Sequence, residues 1–221
     1  MAGTVFVSVT MSLDGFMAPE EVSVQEVFSP EGRNSPAARR WMAKWSELQA
    51  WVFPLRFFRE NTGIGEGGEE GRDNDIARAT HERIGANIMG KRMFDGGALA
   101  WPENAPFHTP VFVVTHEKRD PWERPGGTTF HFVNDGIEAA LEQARVAAGE
   151  RDVRISGGAE TILQFLDAGL VDELSITLAP VLFGSGIRLF EGVDDSRVAL
   201  KQVHAEPSAT VTHLTYSVHR P

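Results

Sequence analysis

The sequence predicts an α/β fold with a mostly parallel central sheet, helices on both of its faces, and antiparallel strands at the C-terminal end. Three observations predict it. Short apolar runs rich in β-branched residues alternate with segments of helical spacing through most of the chain, which implies right-handed crossovers. Those runs are apolar on both sides, as strands covered on both faces must be. Towards the end the pattern changes. Leu174, Ile176 and Leu178 alternate with Glu173, Ser175 and Thr177, and Leu214, Tyr216 and Val218 alternate with His213, Thr215, Ser217 and His219. Such one-sided strands are expected to be antiparallel. The 221 residues fit a single domain over 1–221, with no internal repeat and no linker.

In chain order, Val5-Phe6-Val7-Ser8-Val9-Thr10-Met11 reads as a buried first strand. It ends at Ser12-Leu13-Asp14-Gly15-Phe16, where Asp-Gly is a turn signal and suggests a hairpin tip. From Pro36 the spacing turns helical, with Trp41, Trp45, Leu48 and Val52 on one face and Ser35 as N-cap. Gly63-Ile64-Gly65-Glu66-Gly67-Gly68 matches G-x-G-x-x-G literally. No β-branched strand precedes it, and Glu66, Glu69 and Glu70 would repel a pyrophosphate, so it is assigned to a Gly/Glu-rich loop insertion at about 60–75. A strand-to-helix junction follows at Ala86-Asn87-Ile88-Met89-Gly90-Lys91-Arg92-Met93-Phe94. Pro110-Val111-Phe112-Val113-Val114-Thr115-His116 and Thr129-Phe130-His131-Phe132-Val133 are further strands. The second leads to a helix with Asn134 or Asp135 as cap, Ile137, Leu141 and Ala144 as its stripe, and Gly149 near its end. The run Val153-Arg154-Ile155-Ser156-Gly157-Gly158-Ala159-Glu160-Thr161 is strand, tight turn and helix start, the helix stopping near Gly169. The apolar segment Ala179-Pro180-Val181-Leu182-Phe183-Gly184-Ser185-Gly186-Ile187-Arg188-Leu189-Phe190 either packs over a ligand or enters a dimer contact.

Composition narrows the classes of function. A net charge of −10 argues against nucleic acid and anionic membrane partners, whose interfaces draw on surplus Lys and Arg. Any anionic ligand needs a local basic site. No run is long and apolar enough to span a bilayer, and Met1-Ala2-Gly3-Thr4 shows no signal-peptide pattern, so a cytoplasmic protein is expected. Cysteine is absent, which excludes disulfides, a thiol nucleophile and a Cys-ligated zinc. His108, His116, His131, His204, His213 and His219 lack ligand spacing, so no metal site is expected.

Two junctions carry candidate chemistry. At Gly157-Gly158 the main chain can be approached closely, and the following helix start offers unpaired N–H groups and a positive dipole end. The dipeptide suits a phosphate, or serves only as a tight connection. At Gly90 two cations follow at once, Lys91 and Arg92, either a phosphate clamp or solvated charge.

Met11-Ser12-Leu13-Asp14-Gly15, Met89-Gly90-Lys91-Arg92-Met93-Phe94, Val113-Val114-Thr115-His116, Ser156-Gly157-Gly158-Ala159-Glu160-Thr161 and Leu182-Phe183-Gly184-Ser185-Gly186-Ile187-Arg188-Leu189-Phe190 occur in this order. As an ordered set they resemble the dihydrofolate-reductase-like, three-layer fold, and most closely the reductase half of the bifunctional riboflavin-biosynthesis deaminase-reductase. The resemblance implies an NADPH-dependent oxidoreductase that transfers hydride to a C=N or C=O group of a small heterocycle, as 5-amino-6-(5-phosphoribosylamino)uracil reductase does. It implies that Gly157, Gly158 and the following helix start hold the pyrophosphate, that Lys91, Arg92, Thr115 and His116 surround the adenosine 2′-phosphate, and that Gly90, Ser156, Ala159, Glu160 and Thr161 also belong to the cofactor-binding set. Asp14 is the catalytic candidate, its other role being that of a turn residue. Thr10, Ser12, Gly15 and Phe16 would shape the nicotinamide side of the pocket, and Trp41, Trp45 and Arg188 its substrate side; Arg39 and Arg40 are alternative cations. Dihydrofolate reductases carry a carboxylate on the first helix, which Trp41-Met42-Ala43-Lys44-Trp45 lacks. A dihydrofolate-reductase-type or other NADPH reductase of this fold, and a non-catalytic nucleotide-binding protein, are the alternatives. The deaminase activity, which uses a histidine- and cysteine-held zinc, is not expected. A homodimer is expected through the terminal strands and the 180–190 loop.

Overall fold

The computed structural model describes residues 3–20 and 22–220; the leaderless start expected at Met1-Ala2 lies outside them. Among the described residues, eleven strands and seven α-helices follow one another as β1 (Val5–Ser12), β2 (Phe16–Ala18), α1 (Val24–Phe28), α2 (Pro36–Leu48), α3 (Arg56–Thr62), α4 (Arg72–Glu82), β3 (Ile84–Gly90), α5 (Lys91–Ala100), β4 (Pro110–Val114), β5 (Trp122–Arg124), β6 (Thr128–Val133), α6 (Ile137–Ala148), β7 (Asp152–Gly157), α7 (Ala159–Asp167), β8 (Glu173–Ala179), β9 (Ile187–Arg188), β10 (Ala199–Pro207) and β11 (Thr212–His219). Nine strands form one sheet in the order β10-β11-β8-β1-β7-β3-β4-β6-β5, and β2 pairs with β9. Pairing is parallel from β8 through β6, while β11, β10 and β5 run antiparallel to their neighbours.

One face of the sheet is apolar and carries α6 and α7. Val5, Val7, Ala86, Ile88, Val153, Ile155, Leu174 and Ile176 meet Leu141, Ala144, Ile162, Phe165 and Leu166 in a continuous core. On the opposite face α5 seals the β3–β4–β6 half, where Phe94 packs among Met89, Val111, Val113 and Phe130. Each buried aliphatic or aromatic side chain there stabilises the fold by roughly 1.5–3 kcal/mol.

The structure corrects several expectations. The strand around Leu174 to Leu178 is not wholly antiparallel: β8 leaves a crossover helix and joins β1 in parallel, presenting only its other edge to β11 in the antiparallel sense. Asp14-Gly15 is a turn, Gly15 having φ 88°, but not the tip of a hairpin; β2 leaves β1 to pair with β9. The helical run from Pro36, capped by Ser35 as expected, stops at Leu48 rather than continuing through Val52. The Gln49 N–H turns back to Glu47 and Trp45, and Pro54 ahead could not continue a helix. The irregular part of the 60–75 stretch shrinks to residues 63–71, because α3 ends at Gly63 in a left-handed cap and α4 starts at Arg72. The G-x-G-x-x-G run thus follows a helix, as its rejection requires. Gly136, with φ 95°, occupies the cap of α6 expected at Asn134 or Asp135.

Candidate functional site

At the carboxyl edge of the parallel strands, β3, β4 and β7 end side by side, with Gly90 in register with Val114 and Met89 with Gly157. The Gly157-Gly158 peptide is cis. No side chain caps α7, so its first N–H groups face the turn. A Cβ at Gly158 would meet no heavy atom within 4 Å, and one at Gly157 would lie 3.3 Å from Met93 Sδ at φ 128°. A Cβ at Gly90 would run into Thr161 Oγ1. The glycines therefore do two separate things. Gly90 lets α7 sit against the end of β3, and Gly158 leaves open space beside exposed main chain. That combination fits the diphosphate of a dinucleotide.

The cations expected to bind a 2′-phosphate stand at the same edge but are already engaged. Lys91 Nζ lies 2.7 Å from Asp95 and 3.4 Å from Glu117, which hold its ammonium above its usual pKa; the hydrogen bond to Asp95 is the largest influence. Arg92 donates to the Val22 carbonyl at 3.5 Å. Thr115 is buried, its hydroxyl accepting from the Glu117 N–H at 3.1 Å, and His116 is exposed. Glu160 is exposed on the first turn of α7, and Ser156 is buried behind the turn.

Asp14 has a structural task. Its carboxylate accepts from Ser12 Oγ at 2.7 Å, from Gly184 N at 2.7 Å and from Phe183 N at 3.1 Å. Desolvation works to raise its pKa, yet these hydrogen bonds together outweigh it and bring the group to about 2. Ser12 Oγ also accepts from Phe16 N at 2.9 Å. Arg188 folds over this turn, donating to the Asp14 carbonyl at 3.0 Å with its guanidinium 4.1 Å from the Phe16 ring centre. Phe16 and Phe183 stack at 6.5 Å over buried Leu48. The apolar 180–190 loop is thereby pinned to the end of β1. Arg39 and Arg40 are exposed on α2, and Trp41 and Trp45 stack at 6.1 Å within a ribbon of rings from Phe28 to Phe58.

What the sequence reading missed is the character of the sheet face beneath α2–α4. Register places Ser8, Thr10, Arg154, Ser156, Asn87, Ser175, Thr177 and His213 on that side. Ser156 Oγ donates to Asn87 Oδ1 at 2.9 Å, and Asn87 Nδ2 to Thr109 Oγ1 at 2.9 Å. Thr10 Oγ1 donates to Gln49 at 3.2 Å and accepts from Trp51 Nε1 at 3.1 Å. Arg154 donates through Nη2 to the Ser8 carbonyl at 2.9 Å, while its sealed Nε has no partner. Desolvation pulls its pKa down to about 10. His81 on α4 is held down to about 4, chiefly by desolvation and then by Arg154 and His108. A covered sheet face this polar costs free energy unless its groups are used. The one sequence signal was Arg154 and Ser156 alternating with Val153 and Ile155 in a central strand. Among the described residues, no three His, Asp or Glu side chains are grouped to hold a metal ion.

A family model described as the RibD C-terminal domain matches residues 3–214. The chain belongs to that family. Among curated relatives, the uncharacterised protein YyaP of Bacillus subtilis is 35% identical over 86 residues, which is 38% of this chain and 45% of YyaP. The match thus spans less than half of that relative. Among solved structures, a protein of Shewanella sp. PV-4 described under riboflavin biosynthesis aligns over 100% of both chains at 24% identity and a TM-score of 0.62. Enterococcus faecalis dihydrofolate reductase complexed with NADP(H) and RAB-propyl aligns over 99% of this chain and 98% of its own at 15% identity, TM-score 0.55. The Thermotoga maritima diaminohydroxyphosphoribosylaminopyrimidine deaminase/5-amino-6-(5-phosphoribosylamino)uracil reductase aligns over 98% of this chain and 56% of its own at 16% identity, TM-score 0.53. These likenesses establish that this RibD C-terminal domain protein has the dihydrofolate-reductase-like, three-layer fold.

Proposed function

We propose that this protein is an NADPH-dependent reductase that transfers hydride to a C=N or C=O group of a small heterocycle of the aminouracil type. The observation that carries this reading is the meeting of two unlike surfaces: the open glycine edge at Gly157, Gly158 and the α7 start, and the polar sheet face under α2–α4. The first suits a dinucleotide diphosphate and the second a flat, hydrogen-bonding ring. Membership of the RibD C-terminal domain family and the fold shared with a reductase complexed with NADP(H) support it. When bound, NADPH would supply the hydride. The chain's own part is to hold the two rings together and to exclude water, for which the pinned 180–190 loop and the aromatic ribbon are placed.

In this reading Asp14 is a positioning residue, because a carboxyl at about 2 has no proton to give at neutral pH. It fixes the loop that borders Thr10, Ser12, Gly15 and Phe16. Lys91 and Arg92 are proposed to accept the 2′-phosphate with Thr115 and His116, Glu117 yielding its share of Lys91.

Isothermal titration with NADPH and NADH, followed by assay on 5-amino-6-(5-phosphoribosylamino)uracil and on pterin, pyrimidine and quinone acceptors, tests the proposal. NADPH binding with turnover is expected. Absence of binding by either nucleotide sinks it, and tight NADPH binding without oxidation on any acceptor points to a nucleotide-binding protein instead. Replacing Lys91 and Arg92 together with Ala should weaken NADPH at least about tenfold more than NADH, a difference of about 1.4 kcal/mol. Equal losses would place these cations elsewhere.

A further inference from the structure

Beneath α2–α4 runs a hydrogen-bond chain with no part yet in the proposed reaction. His213 Nε2 lies 3.0 Å from Asp73 Oδ1, and His213 Nδ1 lies 3.1 Å from Thr177 Oγ1. The chain joins α4, β11 and β8, which are remote in sequence, and its centre is covered: the His213 side chain is 7% exposed and that of Asp73 17%. The second Asp73 oxygen accepts from Thr210 Oγ1 at 3.2 Å. Trp51 packs edge-on against the imidazole at 5.3 Å and donates to Thr10. Thr177 is the register partner of both Thr10 and His213, and it is half-buried rather than sealed. Its hydroxyl therefore borders the same polar floor as Thr10.

The carboxylate on Nε2 makes that nitrogen a donor. Nδ1 then accepts from Thr177 when the ring is neutral and donates to it when the ring is an imidazolium. Such an arrangement has one direction of use, because the Asp73 end is tied down and the Thr177 end meets the floor.

We propose that Asp73, His213 and Thr177 form a proton relay to the substrate, with Thr177 the catalytic residue in contact and His213 and Asp73 positioning residues behind it. This rests on the reductase reading above. Bound NADPH would supply the hydride for the new C–H bond, and the π pair of the C=N or C=O group would move onto nitrogen or oxygen. That atom takes the Thr177 hydroxyl proton as Thr177 takes the proton of His213 Nδ1. A neutral imidazole remains, its Nε2–H on Asp73, and solvent restores the proton through Thr177 after product leaves. The charged and titratable groups around His213 are Asp73 from α4, Glu206 opposite it on β10, and the partners of Glu206, Arg72 and His204.

The test uses the full chain with NADPH and 5-amino-6-(5-phosphoribosylamino)uracil, and the other acceptors named above if that one is inert. Thr177→Val and His213→Gln should each lower kcat about a hundredfold, the lower end of what a positioned acid contributes, with NADPH affinity within twofold of wild type. Thr177→Ser should recover at least a tenth of the rate, and His213→Gln should flatten the pH profile of kcat. In the unliganded protein, at a pH where the ring is neutral, 15N spectra of labelled histidine should show the His213 proton on Nε2, with Thr177→Val moving the Nδ1 resonance and Asp73→Asn removing the tautomer preference. Rates within twofold of wild type in both single variants, or an Nδ1 resonance indifferent to Thr177→Val, would overturn the relay while leaving the reductase reading intact. A wild type inert on every acceptor removes the reductase reading and the relay with it.

Discussion

His81 and Asp14 show how single side chains set the acid limit of this fold. Burial beside Arg154 and His108 holds the His81 ring at about 4 against an ordinary 6.5. The unfolded chain therefore binds the proton first, so stability is complete above about 6.5 and is lost as pH falls towards 4. Thermal melts of wild type and His81→Gln between those values should diverge, the wild type losing at least about 2 °C more. Asp14 has the opposite chemistry and the same direction: its folded value of about 2 lies below the ordinary 3.8, so its contribution is present above 3.8 and fades towards 2. Asp14→Asn should lower the melting midpoint by about 2–4 °C at pH 7, and the gap should close as pH falls through that lower window. A constant gap would show that the carboxylate's charge is irrelevant to the 180–190 loop.

The junction of β3, α5 and α7 depends on a missing side chain. Gly90→Ala drives a methyl into Thr161 Oγ1, an overpacking worth about 1–3 kcal/mol. Adding Thr161→Ala removes the opposing atom and should recover most of the loss in a denaturant melt; a double variant no better than the single would mean that Gly90 serves another purpose. This junction was legible in sequence because a glycine at the end of a buried strand, followed by helical spacing, has few other meanings. Elements with weaker grammar were not. α4 starts at Arg72 after Gly71, which offers no side-chain cap, and buries only Asn74, so nothing separated it from the Glu/Gly run before it. The polar floor was hidden for a different reason. Thr177 and Ser175 alternate with apolar neighbours just as residues on a solvent face do, and only the pairing of β8 between β1 and β11 sets them on the polar face beneath α2–α4.

At the scale of the molecule, the remaining expectation is a homodimer. β10 forms one edge of the large sheet, with Leu200 46% and Val203 64% exposed, and Leu182 on the 180–190 loop is 72% exposed. Lys201, the register shift between Gln202 and His204 and Pro207 disfavour simple strand addition at that edge, so we propose contact through these apolar side chains instead. Sedimentation should show a species near twice 24.3 kDa, reduced to monomer by Val203→Glu; a wild-type monomer at micromolar concentration refutes the dimer. The sheet order also bears on how the protein is made. β1 lies between β7 and β8, and the Thr4 N–H reaches Asp152 across 148 residues. At about 5–20 residues per second, β1 waits roughly 7–30 s for its first neighbour in the sheet. Through that interval Val5, Phe6 and Val7 form an unpaired apolar segment, while β3, β4 and β6 can already pair with one another.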